Sequence, residues 1–212
     1  MLEVDDESRL GRELLAGGAR YHAGLVPGDD TIARMYESTI DSLAAAGLPQ
    51  YEISNFARPG RESRHNLRYW QRRPYLGLGL DASSMLRESA KSANHARSGC
   101  ILRFANTDEL KAYLDGPQPR ETAWLSPERQ HEEAWFLGLR LNDGVSVSAL
   151  RQEFGNQMVA HALEVVEALT ERRLLTFDGE TAQLTSQGRM LSNDVFQEFL
   201  ETAAPHPDFA ER

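Results

Sequence analysis

Apolar residues recur along this chain mostly with helical spacing. Between residues 32 and 43 they fall at Ile32, Met35, Tyr36, Ile40 and Leu43, which is one face of a helix. Asp29 or Asp30 supplies its N-cap, because a carboxylate accepts from the orphan backbone amides of a first turn. Gly47 ends this helix and Pro49 keeps it ended. A shorter helix over 8–15 stops at Gly17-Gly18, since glycine readily takes the left-handed conformation of a helix end. Residues 51–53 read as a short extended segment. Residues 75–80 read as a strand carrying Gly77 and Gly79; glycine weakens a strand and marks close approach of backbone or ligand. The small, polar stretch 87–99 predicts a flexible loop or a weak hairpin. Asn106-Thr107-Asp108 opens a helix that fades near Gly116, and the proline-bearing stretch 117–127 reads as a linker.

A different unit begins beyond it. Ser126-Pro127-Glu128 is a helix start: a capping hydroxyl, proline in the first turn, then an acid at the positive helix end. The helix runs past Trp135, Leu137, Leu139 and Leu141 to Asn142-Asp143-Gly144. Residues 147–154 form a short second helix, and Met158, Ala162, Val166 and Leu169 mark a third. Residues 174–177 and 181–184 flank Asp178-Gly179, a favoured hairpin turn. Leu191, Val195 and Phe199 carry a last helix at spacing four. Three helices, a hairpin and a closing helix predict a winged-helix-like domain.

The chain has 212 residues, 41% hydrophobic and 26% charged, which leaves room for one large or two small globular domains. No apolar run approaches the roughly 18 residues of a membrane span. The start, Met1-Leu2-Glu3-Val4-Asp5-Asp6, is acidic where a signal peptide is basic and then apolar, so the expected location is the cytoplasm. Net charge is −9, and residues 126–212 hold 15 acids against 7 arginines. The candidate recognition helix of the winged-helix-like unit carries Glu164 and Glu167 and no cation. Duplex binding needs cations to neutralise phosphates, so nucleic acid is not an expected partner.

Positive charge lies elsewhere. Residues 58–73 hold Arg58, Arg61, Arg64, Arg68, Arg72 and Arg73 against the single acid Glu62, and such a patch on an acidic protein points to an anionic ligand. The same run, read as loop-like, carries His65, Asn66, Tyr69 and Trp70. Imidazole ligates iron, heme iron included. Tyr69 and Trp70 can stack on a flat macrocycle, and Arg64 and Arg68 can pair with carboxylates at two points. From the residues alone a structural role is the better reading, with His65 and Asn66 tying a loop and the aromatic rings filling a seam between domains, because buried aromatics usually serve packing. His22, His95, His131, His161 and His206 show no metal-ligand spacing and read as surface or hydrogen-bonded residues. Glu52 suits a structural or ligand-shell place better than that of a general acid, and no Gly-x-Ser-x-Gly nucleophile elbow occurs.

Tyr51-Glu52-Ile53-Ser54-Asn55-Phe56-Ala57 followed by His65-Asn66-x-x-Tyr69-Trp70 resembles the radical-SAM proteins of the HemW heme-chaperone and oxygen-independent coproporphyrinogen III dehydrogenase group. Further matches stand at 75–79, at Arg103-Phe104-Ala105-Asn106 and at 184–188. The resemblance implies an α/β part followed by an α+β part. Residues 1–116 would be closing elements of an incomplete radical-SAM (βα) barrel and its extension, 117–127 a linker, 128–203 a winged-helix-like domain of the HemN C-terminal type, and 204–212 a flexible tail. It further implies heme or porphyrin as ligand, with His65, Asn66, Tyr69 and Trp70 binding heme, His65 on the iron, and Arg64 and Arg68 on propionates. A heme-acceptor protein follows from the chaperone branch. Gly77, Gly79, Ala82 and Ser83 would lie near S-adenosylmethionine. In the alternative dehydrogenase branch, a 5′-deoxyadenosyl radical takes hydrogen from propionate side chains that then decarboxylate; the His-Asn-x-x-Tyr-Trp run favours the chaperone.

The chain departs from the family pattern twice. The [4Fe–4S] cluster of such proteins sits on Cys-x-x-x-Cys-x-x-Cys, whereas this chain holds one cysteine, Cys100, which reads as a small buried apolar residue. Where the family continues Gly-Ala-His-Ser, this chain has Asp81-Ala82-Ser83-Ser84. Leu2-Glu3-Val4 resembles the end of a late barrel strand, so the resemblance implies the C-terminal portion of a longer protein, by itself not an enzyme. Part of a barrel leaves strand edges unpaired, which predicts self-association.

Overall fold

The structure, a computed structural model, describes residues 6–17, 26–87, 99–116 and 119–200. The chain divides into two compact units, Met1–Glu62 and Ser63–Arg212, so the division falls well before the expected linker. The expectations for Leu2-Glu3-Val4, His22, His95, His206, the loop centre 88–98 and the tail 204–212 lie outside the described residues.

In the first unit, helix α1 (Arg9–Leu15) starts where the Ser8 hydroxyl accepts from the Gly11 amide at 2.9 Å. Helix α2 (Asp29–Ala45) is capped by Gly28, not by an aspartate; Asp29 and Asp30 occupy its first turn, where their charge still meets the positive helix end. It closes through Gly47, whose amide donates to the Ala44 carbonyl while Leu48 donates to Leu43. Strands β1 (Gln50–Glu52) and β2 (Asn55–Phe56) form a short antiparallel hairpin. The Tyr36 hydroxyl of α2 donates to the Ile53 carbonyl at 2.7 Å, and the Gln50 amide donates to both groups, tying helix to hairpin. Glu52 is fully buried, and its carboxylate accepts from the Ser54 amide at 2.9 Å and the Asn55 side chain at 2.5 Å. Its work is to hold that turn.

The second unit opens with helix α3 (Arg64–Trp70), so the run read as loop-like is helical here. Ser63 caps it by accepting from the Asn66 amide, and no glycine or proline interrupts it before Pro74. Its end is a six-residue closure in which Arg72 donates to the Tyr69 carbonyl and Arg73 to Arg68, each at 2.9 Å. Arg72 takes φ +50° at the position where glycine is usual, which costs a side-chain-bearing residue about 1–2 kcal/mol.

Strands β3 (Ser83–Arg87), β4 (Ile101–Asn106) and β5 (Pro119–Leu125) form an antiparallel sheet in that order, with helix α4 (Leu110–Asp115) between β4 and β5. Two expectations fail here. Residues 75–80 are not a strand; Tyr75 alone bridges to Met85, and the chain beyond it is held by side chains. Residues 119–125 are not a linker. Cross-strand pairs such as Trp124 with Leu102 and Thr122 with Phe104 outweigh the nearby prolines, and Pro119 stands at the first strand position, where a missing N–H is tolerated.

Helix α5 (Pro127–Leu139) follows, with Ser126 as N-cap and Pro127 in the first turn as expected. Then come β6 (Val145–Ser146), α6 (Val147–Phe154), α7 (Asn156–Glu171), β7 (Leu175–Phe177), β8 (Thr181–Leu184), α8 (Ser186–Met190) and α9 (Ser192–Leu200). The hairpin β7–β8 turns where Asp178 accepts from the Glu180 and Thr181 amides, and β6 pairs with β8. Helix α8, capped by Thr185, was not anticipated. Trp135 stacks on Phe199 at 5.1 Å within a core of Leu139, Val147, Val159, Val166 and Val195. Every strand pairing among the described residues is antiparallel, so the parallel neighbours expected of a barrel are not among them. Among the described residues no helix is long and apolar enough to cross a membrane.

Candidate ligand cleft

Residues four apart share a helix face, so α3 presents His65 with Tyr69, and Asn66 with Trp70 on the adjoining face. The His65 and Tyr69 rings meet edge-on at 4.9 Å, and Tyr69 meets Tyr75 edge-on at 4.6 Å. His65 itself is exposed. Arg68 donates to the Pro74 carbonyl at 2.6 Å, which folds the segment after α3 back beside the helix. These contacts frame a cleft of about 640 Å³, with His65, Arg68 and Tyr69 on one side and Gly77, Ala82 and Ser83 on the other. That volume lies within the roughly 300–1,000 Å³ usual for small-molecule sites. Leu76 and Leu78 stand at its lip, 62% and 81% exposed. Arg64 lies in an adjoining groove of about 390 Å³ with His65, Arg68 and Arg73.

Trp70 takes no part in this cleft. Its ring lies under the Arg140 guanidinium, 4.2 Å from the centroid, at the end of α5. Asn66 is likewise not among the residues lining the cleft. Cys100 is half-buried, not buried.

The two glycines are held by the protein itself. The Gly77 amide donates to the Ser84 hydroxyl and the Gly79 amide to the Tyr113 hydroxyl, each at 3.0 Å. Buried Asn106 donates to the carbonyls of Gly77 at 3.3 Å and Gly79 at 2.9 Å. A Cβ at Gly77 would collide with the Ser83 carbonyl, so the close approach that this glycine permits is to its own chain. Asn106 closes the Arg103-Phe104-Ala105-Asn106 match, and an amide side chain at the last position of a strand was the available signal for this role.

Behind the Tyr69–Tyr75 pair lies an inner cavity of about 360 Å³. Strand alternation and register place Ser83, Met85, Arg103, Ala105 and Ala123 on one face of the sheet toward it. Arg103 pairs with Glu133 of α5 at two points, both 2.7 Å. Burial pushes the Glu133 carboxyl up against the pull of Arg103, and burial likewise raises the Tyr75 hydroxyl.

Arg72 reaches across to the helices. It pairs with Glu153 of α6 at 2.6 and 3.3 Å, donates to the Gln130 carbonyl of α5 at 3.4 Å, and covers the Phe154 ring. Beneath it His131 is buried, and burial together with the Arg72 charge lowers its pKa to about 4 against the opposing effect of Glu153. His131 accepts from Trp135, as expected of a hydrogen-bonded core histidine. Exposed His161 lies 3.6 Å from Glu164.

Residues 125–191 match the HemN C-terminal domain family. The heme chaperone HemW of Bacillus subtilis is 36% identical over 82% of this chain and 44% of its own length. The heme chaperone HemW of Lactococcus lactis is 34% identical over 85% and 46%. Residues 125–191 thus carry a HemN C-terminal domain, and the chain as a whole is similar to HemW-type heme chaperones. It spans less than half the length of these curated relatives. A structure of Escherichia coli coproporphyrinogen III oxidase, HemN, described as a radical SAM enzyme, superposes over 82% of this chain and 42% of its own with a TM-score of 0.58. At 19% identity that likeness shows a shared mixed α/β fold.

HemW-type and HemN relatives are radical SAM proteins, which implies S-adenosylmethionine and an iron–sulfur cluster. The residues present fit neither group. One cysteine cannot supply three thiolates, and among the described residues no three His, Cys, Asp or Glu side chains converge as metal ligands. The amides of Gly77 and Gly79 are already taken by Ser84 and Tyr113, and each carbonyl already accepts one bond from Asn106.

Proposed function

We propose that this chain forms the heme-holding portion of a HemW-type heme chaperone that binds heme and passes it to an acceptor protein. The observation that carries this reading is His65, exposed on α3, braced edge-on by Tyr69 and opening into the cleft. An exposed imidazole is a competent iron ligand. Leu76 and Leu78 offer apolar area for a macrocycle face, and Arg64, Arg68 and Arg73 surround His65 with positive charge for propionates. Arg68 keeps part of its guanidinium on Pro74, so Arg64 and Arg73 are the freer partners. The names of the relatives agree with heme as cargo.

The order of α5, α6, α7 and the β7–β8 hairpin reads as a winged-helix-like unit, helices α1 and α2 as the far end of a barrel, and the antiparallel sheet β3–β5 as the extension that follows it. Glu164 and Glu167 on α7 set that unit against duplex DNA, and its part in the chaperone is architectural. The expected place of action is the cytoplasm. Titration of the chain with hemin tests the reading. A saturable Soret shift is expected, and His65→Ala should lower affinity and alter the spectrum. An unchanged spectrum and affinity in His65→Ala would refute the assignment.

A further inference from the structure

We infer that Arg72 is a positioning residue that latches α3 to the C-terminal helices and so sets how His65 and Tyr69 meet the cleft. The geometry stands by itself; the consequence for cargo rests on the heme-binding reading.

Helix α3 has seven residues, too few to hold a direction unaided. The residue that ends it sits at φ +50°, where glycine would be easier. What the arginine adds is its side chain, which is 11% exposed. Both nitrogens of its fork meet Glu153 on α6, and one also meets the Gln130 carbonyl on α5. A two-point pair fixes direction as well as distance. Arg87 of β3 completes the junction by donating to the Arg72 carbonyl at 3.3 Å and facing Glu153 at 3.6 Å. One residue therefore fastens the end of α3 to α5, α6 and the sheet, two helical turns from His65. A strained backbone kept for the sake of its side chain is the observation that singles out Arg72.

Arg72→Gly is the informative variant in the full chain, because glycine accepts the same backbone and removes the side chain that forms the latch, with its cover over Phe154 and its charge beside His131. Three quantities are measured: melting temperature, hydrogen exchange of the α3 amides, and hemin affinity. Arg72→Gly should melt within about 4 °C of wild type, since relief of strain offsets the lost pair. Its α3 amides should exchange faster and hemin affinity should fall, each on the order of tenfold, the scale of one pairwise coupling. Glu153→Gln should act in the same direction, and the Arg72→Gly/Glu153→Gln double variant should be no worse than Arg72→Gly. Wild-type exchange and affinity in Arg72→Gly, or additive effects in the double variant, would overturn the latch. If Arg72→Gly fails to fold, Glu153→Gln carries the same comparison. If the wild type binds no hemin, the cargo reading falls, and α3 exchange still decides whether the latch exists.

Discussion

The indole N–H of Trp135 donates to Nε2 of His131 at 3.0 Å, one turn apart on α5 and inside the core. That bond requires the neutral imidazole protonated on Nδ1, because protonated Nε2 could not accept. Burial first, and the nearby Arg72 second, lower the pKa to about 4 from an ordinary value near 6.5. Between those values the unfolded chain binds the proton and the folded chain does not. The contribution of His131 is therefore complete above about pH 6.5 and is lost as pH falls toward 4, a change of roughly 2–3 kcal/mol. Tm measured across that window should decline. His131→Gln should be less stable at pH 7 and show a flatter decline; a parallel one would contradict the assignment.

Gly77 and Gly79 should respond differently to alanine. At Gly77 the methyl group meets the Ser83 carbonyl, an overpacking that costs about 1–3 kcal/mol. At Gly79 the space is open and the cost, upward of about 1 kcal/mol, comes from φ +107° alone. Denaturant unfolding of both variants gives the order. Equal stability losses would show that the Ser83 contact yields easily.

Arg103 holds the ionised form of Glu133 against burial. Its removal leaves a half-buried carboxylate without that cation. Arg103→Ala should lose roughly 1–3 kcal/mol at pH 7, short of a fully buried pair because a third of Arg103 is exposed. The folded-state pKa of Glu133 is already raised, so its ionisation weighs against the fold as pH rises. The deficit of the variant should therefore shrink as pH falls through the raised folded-state pKa of Glu133, where the carboxyl is neutral and no longer needs the cation. A deficit independent of pH would mean that packing, not charge, is what Arg103 contributes.

Tyr69 joins His65 to Tyr75 through two ring edges. Tyr69→Phe keeps both edges and should bind hemin as wild type does. Tyr69→Leu removes them, at about 0.5–1.5 kcal/mol for each pair, and should weaken hemin binding by several-fold. Matching losses in the two variants would move the role from the ring to the hydroxyl.

Much of the helical framework was legible in the residue order. Ser126, Gly47 and Asp178 act on partners within a few residues, so their capping and turn roles read directly from spacing. The aromatic–histidine run was also visible as a candidate, although its helix was not. The seven residues of α3 carry too weak a period to announce a helix, and arginine at the left-handed helix end hid the stop that glycine would have signalled.

The sequence by itself determined the Ser126 cap, the Gly47 stop, the Asp178-Gly179 hairpin and the likeness to the HemW-type proteins, because each rests on local chemistry or on matched residue strings. Tertiary structure alone decided that 119–125 would be a strand, that Trp70 would turn to Arg140, and that Gly77 and Gly79 would be held by Ser84, Tyr113 and Asn106. Apart from Ser84, seven residues from Gly77, those partners stand about a dozen residues or more away, and no local propensity encodes which distant group will arrive.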